Sequence, residues 1–139
     1  MRYVLVILAV LGMVLAGFAL REHYRTDTSP CSINERWDCG IVNHSPYAVF
    51  WGVPVAIIGM TGYLLMAVVA FRRAYRLLLV LVLGGLGFSL YLTHVEADIL
   101  GVYCIYCVSS LCVISLMSLL VVGTVISKSL KAGDAPLPQ

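Results

Sequence analysis

Charge is scarce in this sequence. Only 12% of its 139 residues are Asp, Glu, Lys or Arg, about half the roughly 25% of a soluble domain. No run of like charges exceeds two residues and the net charge is +2, which excludes a nucleic-acid footprint. Polar stretches are short apart from residues 21–53, so no soluble domain fits between the apolar runs. The same composition excludes disorder, coiled coil and collagen. What is there instead is apolar: 61% of residues are hydrophobic, and the solvent for such a chain is the lipid bilayer.

Four apolar runs stand out: Tyr3–Leu20, Pro54–Phe71, Leu77–His94 and Cys104–Ile126. A span takes roughly 20 residues, so these predict an all-α integral membrane protein, a four-helix bundle over residues 1–127. A tail, 128–139, follows. A secretory signal is the rival reading of the first run, where Arg2 precedes apolar residues and Ala16-Gly17. That run is longer than the roughly 7–15 residues such signals use, and cleavage would leave the other spans in place.

Cations stay on the cytoplasmic side of span ends. Arg2, Arg72, Arg73, Arg76, Lys128 and Lys131 lie on one side, and Arg21, Arg25 and Arg36 on the other, among most of the acids. Both termini are therefore expected in the cytoplasm of an inner or plasma membrane, with loop 21–53 facing the periplasm or exterior. Gly59, Gly62, Gly84, Gly85 and Gly87 are candidates for close helix contacts. Ser45-Pro46 fits a helix start, and Val53-Pro54 a break, predicting a short interfacial helix over Pro46–Trp51.

Five cysteines carry the chemistry. Cys31 and Cys39, with seven residues between them, lie in the long loop, and Cys104 and Cys107 form a CxxC opening the last span. A CxxC at a helix start shares one face, and the unpaired N–H groups there favour a thiolate, the attacking species in thiol–disulfide exchange. Two other readings stay open: two structural staples, or four thiolates around zinc. Cys112, alone in an apolar helix, reads as a small buried hydrophobe. His94 beside Glu96 and Asp98 reads first as a solvated loop histidine, and His44, near Cys39, is the better candidate proton carrier.

Cys31-x7-Cys39, Ser45 six residues further on, Trp51-Gly52-Val53-Pro54, and Cys104-Ile105-Tyr106-Cys107 together resemble the vitamin K epoxide reductase family in its prokaryotic form, over roughly Leu5–Val122. The resemblance implies a membrane thiol:quinone oxidoreductase that forms disulfides. Electrons would pass from a thioredoxin-fold partner to Cys31 and Cys39, then to Cys104 and Cys107, then to a quinone of the menaquinone or ubiquinone type, with no metal. Cys107 would face the quinone, Cys104 would exchange with Cys39, Cys31 would complete the loop disulfide and meet the partner, and Ser45 would donate to a quinone carbonyl. Many relatives carry a fused thioredoxin-like domain; with about a dozen residues after the last span, a separate partner protein is expected here. Leu111 stands where epoxide-acting vertebrate members carry Tyr, which favours plain quinone reduction. Helical spacing from Cys107 puts Leu111 and Ser115 on the pocket face. The rival class is a non-enzymatic tetraspan interaction protein with a stapled loop.

Overall fold

The computed structural model describes residues 1–26 and 32–134. Its helices are α1 (Arg2–Tyr24), α2 (Cys39–His44), α3 (Val55–Phe71), α4 (Tyr75–His94) and α5 (Ile105–Gly133), with β1 (Val49–Phe50) and β2 (Val53–Pro54) paired as an antiparallel hairpin. Three stretches, Arg2–Tyr24, Tyr75–Leu100 and Ile105–Gly133, are long and apolar enough to cross a membrane. The remaining apolar helix, α3, has 17 residues. At about 1.5 Å per residue it is about 25 Å long, below the roughly 30 Å of a hydrocarbon core.

Small residues bring the helices together. α1 buries Leu5, Ala9, Gly12, Ala16 and Ala19, spaced alternately four and three apart, the period of a left-handed helix seam. Four of these five are Ala or Gly, so α3 packs closely along them, as required where lipid supplies no hydrophobic drive. Gly12 is the tightest point, because a Cβ there would overlap the ring of Tyr63. Gly85 of α4 is the second: a Cβ would meet Met66 Cε at 3.0 Å and Ile114 Cδ1 at 3.3 Å. Of the other glycines expected at contacts, Gly59 lies against Ala16, whereas Gly62, Gly84 and Gly87 face open space.

Two packed clusters result. The larger joins Leu5 and Ala9 of α1, Tyr63 and Met66 of α3, Leu78 and Val82 of α4, and Ile114 and Met117 of α5. The smaller, at the other end, holds Cys39, Val42, Val102 and Cys104. Cations clasp the end carrying the chain's start: the Arg2 guanidinium lies over the Phe71 ring at 5.3 Å and Lys128 Nζ over Tyr75 at 4.1 Å.

The long loop corrects the expected helix over Pro46–Trp51. Only one 3₁₀ turn forms, Pro46–Ala48, because Val49, Phe50 and Val53 are β-branched or aromatic and pair as strands instead. Trp51 (φ 54°) and Gly52 (φ 78°) turn the hairpin, the left-handed pair that a two-residue hairpin turn demands. The helix α2 arises upstream, started by Asp38, whose side chain accepts the Ile41 N–H at 3.1 Å. The first apolar helix also runs past Leu20 to Tyr24 and the last past Ile126 to Gly133.

Candidate active site

Cys39 and Cys104 are brought together by a backbone clamp. The Tyr103 N–H donates to Arg36 O at 2.7 Å and the Asp38 N–H to Tyr103 O at 3.0 Å, a short parallel pairing of Trp37 with Tyr103. The two rings lie 5.6 Å apart. Asp38 Oδ1 also accepts the Ser32 hydroxyl at 2.9 Å, so the loop strand is held on both sides. The next residue on each strand is a cysteine, and both are fully buried in one cluster. Cys39 is in a disulfide, while Cys104, Cys107 and Cys112 are free thiols. With its sulfur bonded to sulfur, Cys39 is no zinc thiolate in this oxidised state. Cys31 lies outside the described residues.

Asn43 joins the two cysteine segments. It sits one turn after Cys39 in α2 and is buried, donating Nδ2 to Cys39 O at 2.8 Å and to Cys104 Sγ at 3.5 Å. Cys104 occupies the N-cap position of α5 in an extended conformation, and Cys107 lies in the first turn. The hydrogen bond from Cys107 holds the Cys104 thiol below its ordinary range, overriding the opposing effect of burial, and backbone N–H groups at the helix start add to the lowering.

Glu96 reaches the same pair from the end of α4. That helix continues into a wide π-helical turn, Val95–Leu100, closed by Gly101 at φ 68°. The turn puts Val95 and Glu96 inward, each 2% exposed, and leaves His94 and Asp98 outside, paired at 2.6 Å. Glu96 Oε2 accepts the Cys104 N–H at 3.3 Å, and its carboxyl shares the cavity wall with the Cys107 thiol. His94 therefore turns away from Glu96, and His44 is exposed with Nδ1 on Gly40 O.

Cys107 opens onto a cavity of about 100 Å³ between α1, α2, the hairpin and the facing ends of α3, α4 and α5. Its wall is mostly apolar, including Leu15, Ala16, Ala19, Val55 and Leu92, with Asn43, Ser45, Glu96 and Ser110 among its polar points. An apolar cleft with a few convergent polar groups suits a flat, weakly polar ligand such as a quinone head. Ser45 lines it, but its hydroxyl donates to Val42 O of α2 at 2.8 Å and accepts no N–H of the turn that follows. Leu111 and Ser115 are not in the wall. Leu111 packs against the central core, and Ser115 Oγ is turned back onto Leu111 O. The wall position below Cys107 is Ser110, three residues on, whose Oγ lies 2.7 Å from the Tyr63 hydroxyl.

Sequence reading passed over Asn43, Glu96 and Ser110 as site residues. Asn43 stands four residues from Cys39 and Ser110 three from Cys107, spacings that share a helix face and were legible. Glu96 was not, because its direction depends on the wide turn.

The vitamin K epoxide reductase family model matches residues 3–122, nearly the whole chain. The chain belongs to the vitamin K epoxide reductase family. Among curated proteins no sequence matches it. Family membership makes this an oxidoreductase of the membrane, working on thiols and disulfides with quinone-type substrates. The apolar cavity beside a free CxxC thiol is the part of this chain that fits such a substrate.

Proposed function

We propose that the chain is a thiol:quinone oxidoreductase that makes disulfides in a thioredoxin-fold partner outside the cytoplasm. The observation carrying this is the burial of Cys39 and Cys104 in one cluster while Cys107 borders the apolar cavity. Electrons enter at the Cys31–Cys39 pair, pass to Cys104–Cys107 by exchange between Cys39 and Cys104, and leave from Cys107 to a quinone. The net change is one disulfide formed and two electrons and two protons taken up as quinol.

Ser45 is the donor to the quinone carbonyl in this reading. Val42 O also accepts the Ser45 N–H at 3.3 Å, so the hydroxyl can turn into the cavity without leaving that carbonyl unpartnered. Leu111 and Ser115 then act below the wall, as packing under the ring site. The four apolar helices all cross the bilayer, the extended Pro54 before α3 adding to its reach. Both termini lie in the cytoplasm with six of the nine cations, and the cysteines face the oxidising side.

The test is oxidation of a reduced thioredoxin-fold dithiol by the purified chain with and without a short-chain quinone. Multiple turnovers only when quinone is present are expected. Stoichiometric oxidation that stops after one equivalent, whatever the quinone, would refute the reading.

A further inference from the structure

We propose that Glu96 is the catalytic base of the Cys104–Cys107 pair: it takes the proton that leaves the Cys107 thiol and passes it to the quinone oxygen. This rests on the quinone-reductase reading above.

The placement is specific. Glu96 is 2% exposed, borders the same cavity as Cys107, and accepts the Cys104 N–H, which puts its carboxyl within interaction range of the Cys107 thiol. Among the described residues no cation forms an ion pair with it; the pairs there are Arg25–Glu22 and His94–Asp98. A carboxyl fixed by Arg or Lys would be a structural strut. This one has a backbone N–H of the CxxC as its hydrogen-bond partner and the Cys107 thiol as its neighbour on the cavity, so its protonation is free to follow the state of the cysteines. Cys107 needs such a neighbour, because the thiolate is the reactive form and the cavity it borders is mostly apolar.

The balance is simple. Oxidising the pair removes one hydrogen from each sulfur and forms one S–S bond. Two electrons go to the quinone. The Cys107 proton travels through Glu96 to one quinol oxygen, and the Cys104 proton supplies the other. The titratable groups facing Glu96 are Cys104 and Cys107 of the CxxC and, around the cavity, His23, Tyr47 and Tyr106.

A helix-capping role is the competing account, and Glu96→Gln separates the two, since an amide oxygen still accepts the Cys104 N–H but takes no proton. The reduced chain, without any protein partner, is mixed with a short-chain benzoquinone and single-turnover oxidation is followed from neutral to alkaline pH. General-base loss of this kind is on the order of 10²-fold, expected at neutral pH and shrinking as hydroxide takes over. Glu96→Asp keeps a carboxylate and should fall between. If Glu96→Gln does not fold, the Asp variant carries the test through the same pH-dependent recovery. A deficit unchanged with pH, or none at all, overturns the assignment.

A second readout needs no quinone. Diamide oxidises the thiol pair by taking its two electrons and two protons, and infrared difference spectra of that step should show the Glu96 carboxyl vibration moving, with the signal gone in Glu96→Gln. A carboxyl spectrum that ignores thiol oxidation also overturns the proposal. Should the wild-type chain fail to reduce quinone while the infrared signal is present, the quinone-reductase reading fails and the Glu96–Cys107 proton link stands.

Discussion

The Asp38 N–H donates to Tyr103 O at 3.0 Å, and the residue after each of these two is a fully buried cysteine. A loop of this length would otherwise place Cys39 anywhere over the bundle end. One hydrogen-bonded register instead sets Cys39 and Cys104 into one buried cluster.

Replacing Cys107 should trap the exchange. In Cys107→Ala, Cys104 loses its resolving partner and a Cys39–Cys104 disulfide should accumulate, leaving Cys31 as a free thiol, as seen by mass spectrometry of non-reduced digests. An intact Cys31–Cys39 bond beside a free Cys104 would mean that the loop disulfide is only a staple.

The reactivity of Cys104 should follow its bond from Cys107. That hydrogen bond lowers the Cys104 value, so in the fully reduced chain its alkylation should reach half-maximum at a lower pH than an ordinary thiol. Losing the Cys107 thiol should move the midpoint upward, because the thiolate is then left with burial and fewer donors. An unmoved midpoint would assign the lowering to the helix start alone.

Ser45→Ala should slow quinone reduction and spare the disulfide of Cys39. One lost hydrogen bond to a neutral carbonyl is worth about 0.5–1.5 kcal/mol, at most roughly tenfold in rate. A loss of thermal stability with unchanged turnover would make the hydroxyl's bond to Val42 O its whole role.

Gly12→Ala should destabilise the bundle. The added methyl collides with the Tyr63 ring, and overpacking of this kind costs about 1–3 kcal/mol. Tyr63→Leu in the same chain should recover much of that loss in thermal unfolding in detergent, while giving up the hydroxyl's bonds to Ser110.

Much of the architecture was legible because apolar runs and cysteine spacing are local properties. The helix cores and the CxxC at the start of α5 could be read directly, and the Ala9-Gly12-Ala16-Ala19 seam is written in the same local spacing. The hairpin was hidden by Ser45-Pro46, a true helix-start signal that yields only one 3₁₀ turn before β-favouring residues prevail. Glu96 and the Asp38–Tyr103 clamp were illegible for another reason. One depends on a wide turn that re-aims a side chain, the other on residues 65 positions apart bonding across the bundle mouth, and neither leaves a periodic trace.

Only two tryptophans occur in the chain, and they sit in opposite surroundings. Trp51, at the hairpin tip, is 91% exposed, whereas Trp37 is half-buried on Tyr103 beside the clamp. In a Trp51→Phe chain the single remaining indole becomes an optical gauge of whether the loop is docked: its emission should redden when the Asp38–Tyr103 bond opens and Trp37 meets water. Stopped-flow fluorescence of that one fluorophore would then time loop opening during turnover without any attached dye.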